Sequence, residues 1–218
     1  MNIFELLVPI FSQMSGYVDS SPSGIQIIAQ SGVSASYVLF TAMSQKKTKS
    51  LETYIKYNIE LIEMKLSQKI DYPYINSDAF MANFLQSIRA AEIAESDEKI
   101  ELIARAFAGC TLHSDSNKAL HMRIIDQITM DEANLLKEIC KRFNNLSAKN
   151  KFVDEVTLNS IPKNRIPAAC RGLFQLGLLE DEKINLEIDD PQNQRWWSPS
   201  ILAQEVMSLL NSTPVDMP

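Results

Sequence analysis

The sequence predicts a mainly α protein, in which a multi-helix body precedes a C-terminal module that carries a small antiparallel β hairpin. Apolar residues recur every three or four positions between residues 51 and 143, which is typical of amphipathic helices. The 218 residues include only 6 glycines, so the composition favours helix over a loop-rich fold. Near the C-terminus, apolar and polar residues alternate at 184–188, which indicates a strand. We expect an apolar, small-residue segment at 1–50, a helical body at 51–128 and the C-terminal module at 129–218.

The composition is that of a soluble globular protein, with 45% hydrophobic and 22% charged residues. Its formal net charge is -6, and an acidic protein repels phosphate backbones unless its basic residues gather on one face. The 3 cysteines form no closely spaced pair, which suits a reducing cytosol. The apolar start has no basic region and no small-residue cleavage site, so we expect no secretory signal. These features predict a cytoplasmic protein.

Residues 20–45 contain no charged side chain, and Lys46, Lys47 and Lys49 follow them directly. An uncharged run with a basic flank is typical of a membrane span. Glutamine and serine residues dilute the apolar character of this run, which favours a buried or partner-facing segment of a soluble protein. A membrane-associated segment at 20–45 stays open as the alternative.

Amphipathic helices are predicted in sequence along the body and into the module. Pro73 follows the first helix and breaks it, because proline lacks a backbone N–H. Ser77 or Asp78 caps the second helix, while Ser96 caps the third and Gly109 ends it. The predicted ranges are 51–70, 77–94, 96–109, 118–128 and 129–143.

The stretch 162–198 contains a further amphipathic helix, predicted over 166–176 with Phe174 on its inner side. Gly177 ends that helix, as glycine commonly does just past a C-terminus. The segment 152–161 before it stays open between a short helix, a strand and an extended linker.

Two strands follow the helix, at 178–180 and 184–188, and an acidic turn at 189–193 leads into a return at 194–197. Ser198 as N-cap, with Pro199 at the first helical position, then opens the last helix. A helix, two strands around an acidic excursion and a final helix follow the order of a winged helix. The sequence therefore predicts a winged-helix-like module at the C-terminus.

Two groups of residues carry a family resemblance. One is a helix start in which Thr129 and Glu132 form a capping box, and the other is the glycine stop and strand start around Gly177. The first group is Ile128, Thr129, Asp131, Glu132, Ala133 and Leu136; the second is Leu173, Leu176, Gly177, Leu178 and Leu179. Over about half of its length the chain resembles bacterial helical proteins of the abortive-infection (Abi-alpha) type. The resemblance implies a helical region leading into a degenerate winged helix, in a protein associated with phage defence. Residues 198–201 depart from the pattern, because the glycine usual in the cap after the returning strand is missing.

The winged-helix-like module offers a set of candidate contacts to nucleic acid or to a protein partner. A module that reads DNA presents basic and amide side chains on its second helix and a basic wing near the phosphates. The candidate contact residues are Lys163, Asn164, Arg165, Arg171, Gln175, Arg195, Trp196 and Trp197. The two tryptophans are adjacent in a predicted strand, so one is expected to enter the core while the other faces the surface or a partner.

The charge of the predicted wing favours protein contact over DNA binding. Six carboxylates lie in or beside the wing, and from Thr129 onward 13 acidic residues outnumber 10 basic ones. These carboxylates oppose binding to a duplex, because affinity for DNA depends largely on phosphate neutralisation. The six are Glu180, Asp181, Glu182, Glu187, Asp189 and Asp190.

No catalytic, metal or cofactor site is predicted. Cys110 and His113 have the spacing of a metal-binding pair, but a structural zinc needs about four ligands and no second pair is present. Cys170 lies on the apolar side of its helix, which indicates a core residue rather than a nucleophile. Phosphate-binding glycine loops are also missing from the sequence.

The leading interpretation is a non-enzymatic protein-interaction protein, associated with phage defence, whose winged helix makes protein contacts with a partner or in a homo-oligomer. One alternative is a DNA-binding regulator that uses Arg165 and Arg171. The other is a membrane-associated effector that uses residues 20–45.

Overall fold

The computed structural model describes residues 3, 5, 7–9, 35–112, 117–145, 152–181 and 195–211, without the side chains of 35–42 and 68. Within these ranges the protein is mainly helical, with a small three-stranded antiparallel sheet. The described residues fall into two compact units, one ending at Leu112 and the other beginning at Asn117. The helix at 118–127, which the sequence placed with the helical body, lies in the second unit.

Between residues 35 and 112 the first unit contains four helices. Helix α1 packs along α4 and α3, and α3 also packs on α4. The core between them contains Phe80, Phe84 and Phe107, with ring centroids 5.1 Å apart for Phe80 and Phe107 and 5.5 Å apart for Phe84 and Phe107. The bounds are α1 Ala35–Leu66, a 3-10 turn Ser67–Lys69, α2 Tyr72–Ile75, α3 Asp78–Ile93 and α4 Asp97–Gly109.

Helix α1 is longer than the sequence indicated. The prediction began at residue 51, whereas the helix begins at Ala35 and includes the basic cluster 46–49. No proline or glycine interrupts residues 35–66, so nothing stops the helix from extending in the N-terminal direction. Of the uncharged run at 20–45, residues 20–34 lie outside the described residues. Among the described helices, none combines the length and the apolar character that crossing a membrane requires.

The predicted helix caps of the first unit are confirmed. The Ser77 hydroxyl accepts a hydrogen bond from the backbone N–H of Phe80 at 3.3 Å, and the Ser96 hydroxyl accepts one from Lys99 at 3.3 Å. Pro73 lies in the first turn of the short helix α2, where the Asp71 carboxylate accepts from the backbone N–H of Tyr74 at 3.1 Å.

In its described residues the second unit combines four helices with the sheet. Strand β3 lies at the centre of the sheet, and the strand order is β1-β3-β2 with all pairs antiparallel. Trp197 is opposite Val153 on one side and opposite Asp181 on the other. The bounds are α5 Lys118–Gln127, α6 Met130–Asn145, β1 Val153–Asp154, a 3-10 turn Glu155–Thr157, α7 Ile166–Gln175, β2 Leu179–Asp181, β3 Trp196–Pro199 and α8 Ile201–Asn211.

Strands β2 and β3 pair antiparallel as part of a small sheet, and β1 adds a third strand within the segment 152–161 that the sequence left open. The predicted strand at 184–188 and the turn at 189–193 lie outside the described residues. The predicted helix start at Ser198 and Pro199 is wrong. Both residues extend β3 by pairing with β2, and α8 begins only at Ile201, where the Ser200 hydroxyl accepts from the backbone N–H of Ala203 at 3.1 Å.

The predicted start of α6 and the predicted end of α7 are confirmed. At the start of α6, the N–H of Thr129 donates to the Glu132 carboxylate at 2.7 Å, and the N–H of Glu132 donates to the Thr129 hydroxyl at 3.2 Å. After α7, Gly177 has a φ of 72°, and the N–H groups of Gly177 and Leu178 donate to the carbonyls of Phe174 and Leu173. This double hydrogen bond with a left-handed residue turns the chain directly into β2.

Helix α7 approaches the capping box so closely that a methyl group at Gly172 would overlap the Glu132 carboxylate. We predict that Gly172→Ala displaces the Glu132 carboxylate from the capping box, a loss of about 0.5–2 kcal/mol that the higher helix propensity of alanine offsets by up to about 1 kcal/mol. Urea unfolding followed by tryptophan fluorescence measures this effect in the full chain, since both tryptophans lie in that unit.

The control is a double-mutant cycle with Glu132→Ala. In that background the carboxylate is gone, so Gly172→Ala should cost clearly less than it does in the natural chain. An equal cost in both backgrounds would show that the close approach to Glu132 is not the cause.

Candidate functional site

Helix α7 has one buried face and one exposed face. Ile166, Ala169, Cys170 and Leu173 are buried against α6 and the sheet. The opposite face is exposed, and we call it the α7 surface. It consists of Pro167, Ala168, Arg171, Phe174 and Gln175.

Phe174 is the main correction to the predicted helix face. The sequence placed it on the inner side, but its side chain is 44% exposed. Its ring lies 6.1 Å from the ring of Trp197, so one edge covers the core while the rest faces outward. Phe174 lies within one helical turn of Arg171 and next to Gln175, which gives the α7 surface an aromatic centre between polar side chains.

The two adjacent tryptophans occupy different environments. Trp197 is 1% exposed, and its indole N–H donates to the Glu155 carboxylate at 2.9 Å. Trp196 is half-buried and stacks on Phe152 with ring centroids 4.8 Å apart. Side chains of neighbouring strand residues point to opposite faces of a sheet, which separates the two rings. Trp197 is therefore the core residue of the pair.

Arg195 is exposed beside the α7 surface. Its guanidinium lies 5.9 Å from the centroid of the Trp197 ring, within the range of a cation–π contact. Arg195 and Phe174 thus both border the same buried indole.

Two of the basic candidates are engaged within the protein. The Lys163 ammonium donates to the carbonyl of Val156 at 2.7 Å and to that of Leu158 at 2.6 Å. The Arg165 guanidinium donates to the Asp131 carboxylate at 3.0 Å. Lys163 therefore holds the loop before α7, and Arg165 ties the start of α7 to α6.

The remaining candidates stay exposed. The side chains of Asn164, Arg171 and Gln175 make no hydrogen bond or ion pair with another described residue. Arg171 is the one basic residue within the α7 helix, and it faces outward. The structure thus brings Arg171 and Gln175 together with Phe174 on one face of α7, while Arg195 borders Trp197. Lys163, Arg165 and Trp196 have contacts of their own within the protein.

A polar cluster fixes the loop between β1 and α7. The Glu138 carboxylate accepts from the backbone N–H groups of Asn159 at 3.1 Å and Ser160 at 2.8 Å. Arg142 donates to Glu138 at 2.5 Å and to the Thr157 carbonyl at 2.8 Å. We call Glu138, Arg142, Thr157, Asn159 and Ser160 the loop clamp, because it positions the approach to α7 from α6.

Burial of Glu138 would by itself raise the pKa of its carboxyl. The hydrogen bonds from Ser160 and Asn159 and the charge of Arg142 outweigh that effect, so the pKa lies below its ordinary value of 4.5. Sequence reasoning missed the loop clamp, although the spacing of Glu138 and Arg142 is that of a helical ion pair. Glu155 was also missed, and no local pattern marks it as the partner of Trp197.

The described residues offer no metal or nucleophile site. No group of three or more metal-ligating side chains lies together in the described ranges, and His113 lies outside them. His121 is buried, with Nε2 3.0 Å from the Glu205 carboxylate. Burial raises the pKa of the Cys140 thiol to about 11. Burial is also the main cause of the raised pKa of Cys170, which is about 12. Both cysteines are therefore thiols at neutral pH.

Comparison of the chain with protein-family models, with curated proteins and with solved structures finds no match. The function is therefore argued from the chemistry of the α7 surface.

The loop clamp makes the stability of the second unit depend on pH. Because the pKa of Glu138 is lowered on folding, its contribution is fully present above about pH 4.5 and is lost as the pH falls through the folded value. We predict that Glu138→Gln destabilises the protein near neutral pH and flattens the loss of stability in acid. Urea unfolding followed by tryptophan fluorescence at about pH 7 and about pH 4 measures both effects.

Glu180→Gln is the matched control, since Glu180 is an exposed carboxylate for which no hydrogen bond is found among the described residues. It should leave the acid dependence close to that of the natural chain. If Glu138→Gln and Glu180→Gln have the same effect, the loop clamp does not contribute in this way.

Proposed function

We propose that the second unit is a winged-helix-like module that binds a protein partner through the α7 surface, in a non-enzymatic protein. The observation that carries this proposal is the exposed Phe174, 44% accessible at the centre of the α7 surface, with Arg171 and Gln175 beside it. Aromatic and arginine side chains are enriched at the energetic centres of protein interfaces.

The order of elements supports the winged-helix part of the proposal. A helix, a strand, a second helix, two further strands and a last helix follow one another from α6 to α8. The sheet order β1-β3-β2 places the third strand between the first two, as a returning wing strand requires. A 3-10 turn at Glu155–Thr157 stands between β1 and α7, which makes this a degenerate form of the module.

The distribution of positive charge favours a protein partner over a duplex. Lys163 donates to two backbone carbonyls and Arg165 pairs with Asp131, so Arg171 is the basic side chain beside Phe174 that has no such contact among the described residues. Binding to DNA depends on several phosphate contacts, most of them made by basic side chains. An exposed aromatic ring beside an arginine suits a partner that supplies an acidic and apolar surface.

A place in bacterial phage defence is part of the same proposal. Its support is the resemblance to proteins of the abortive-infection (Abi-alpha) type at Thr129, Glu132 and the phrase around Gly177. The capping box and the glycine stop form as hydrogen-bonded structures in the second unit.

Photo-cross-linking tests the proposed surface. A benzophenone analogue of phenylalanine replaces Phe174 in the full-length chain, expressed in cells of its natural source. We expect one discrete protein adduct on irradiation, because this side chain lies at the centre of the proposed contact. Arg171→Glu in the same chain should reduce the adduct by about tenfold, since it reverses the charge next to the ring.

The matched control carries the analogue at Met43, which is 60% exposed on α1 in the first unit. That chain should not yield the Phe174 adduct. The proposal is wrong if both positions give the same products, if position 174 gives none, or if it cross-links to nucleic acid.

A further inference from the structure

Helix α3 presents an exposed row of side chains that the first unit leaves uncovered. Asp78, Ala82, Leu85, Arg89 and Ile93 are spaced by four, three, four and four residues, so they lie on one face of the helix. We call them the α3 stripe. Leu85, 43% exposed, lies with Ala82 between the two charges, and Ile93, 77% exposed, lies beyond Arg89.

The opposite face of α3 is buried in the first unit. Phe80, Phe84, Ser87, Ile88 and Ala91 are buried there, against α1 and α4. The α3 stripe therefore points away from the core of the unit.

The contacts of Lys47 and Ser44 mark one edge of the stripe. The Lys47 ammonium donates to the carbonyls of Glu92 at 3.0 Å and Ala94 at 2.7 Å, and the Ser44 hydroxyl donates to the Glu92 carboxylate at 3.0 Å. These hydrogen bonds fix the C-terminal end of α3, the helix that bears the stripe, to α1.

The two charges of the stripe have opposite sign and lie far apart along the helix. Asp78 and Arg89 are separated by 11 positions, which is about 16 Å along the axis at 1.5 Å per residue. Neither side chain forms an ion pair with another described residue. Their separation is too large for a contact within one helix, but it suits a contact with a second helix running in the opposite direction.

We propose that a second copy of this chain packs antiparallel on the α3 stripe, with a two-fold axis near residues 83 and 84. This axis places Asp78 of each copy opposite Arg89 of the other, and Ala82 of each copy opposite Leu85 of the other. A contact related by a two-fold axis must be self-complementary, and this pairing matches both charges and both sizes. The small Ala82 leaves room for the larger Leu85.

Charge complementarity is the reason to assign a second copy as the occupant. An unrelated partner would need a basic and an acidic group at the same spacing, whereas the stripe already holds both in the required order. The proposal concerns the first unit and is independent of the proposed function of the α7 surface. One helix per copy buries a small area, so association should be reversible and should depend on concentration.

Sedimentation velocity of the full chain over a range of concentrations tests the pairing. The mass should rise from the 24.6 kDa of one chain towards twice that value. Arg89→Asp or Asp78→Arg alone places like charges opposite each other and should weaken association by about tenfold or more. The double variant with both reversals restores the opposite charges and should recover the association of the natural chain.

A disulfide experiment tests the antiparallel direction. Chains with Asp78→Cys mixed with chains with Arg89→Cys should form a mixed disulfide dimer under mild oxidation. Chains with Asp78→Cys alone should not, because the two copies of position 78 lie about 16 Å apart along the axis.

Leu85→Glu should abolish association, while Met64→Glu, at a 72% exposed position on α1, should leave it unchanged. Circular dichroism establishes that each variant is folded. If Asp78→Arg does not fold, Leu85→Glu and the mixed disulfide decide the question.

The proposal is overturned if the natural chain stays monomeric or if the single reversals dimerise as well as the natural chain. It is also overturned if the double reversal fails to recover association, or if a different protein occupies the stripe.

Discussion

Burial of Trp197 in the central strand is the constraint on which the second unit depends. Strand β3 has only four residues, and its pairing with β1 and β2 fixes the indole between them. Removing a buried tryptophan typically costs about 3–5 kcal/mol, so this side chain is a large part of a small core. Burial of the indole N–H requires a hydrogen bond, and Glu155 provides it from the turn after β1. One side chain thereby links the register of the sheet, the position of α7 and the path of the preceding loop.

The polar contacts around that core determine what the surface offers to a partner. Lys163 and Arg165, the basic residues at the start of α7, hold the loop and the neighbouring helix. Both side chains therefore have hydrogen-bond partners within the protein, whereas Arg171 beside Phe174 has none among the described residues. The contacts that fix the loop thus engage two of the basic side chains near the start of α7.

The helix ends could be predicted from local chemistry, whereas contacts between distant residues could not. Ser77 caps a helix and Gly177 ends one because these effects depend on adjacent backbone groups. Strand β1 has two residues, too few for an alternating pattern, and the Ser-Pro pair at 198–199 resembles a helix start until pairing with β2 holds it extended. For the site, the exposed arginine and glutamine of α7 could be named in advance. The exposure of Phe174 and the hydrogen bonds of Lys163 depend on tertiary packing, which cannot be predicted from the helical periodicity alone.

We propose that the α7 surface contacts protein and does not bind DNA. Titration of a random-sequence duplex with the full-length protein at low salt, followed by fluorescence anisotropy, tests it most directly. The account predicts no binding up to about 10 μM protein, because two exposed arginines cannot replace several phosphate contacts. Binding that saturates below that concentration, weakens steeply with salt and disappears in Arg171→Glu would contradict the account.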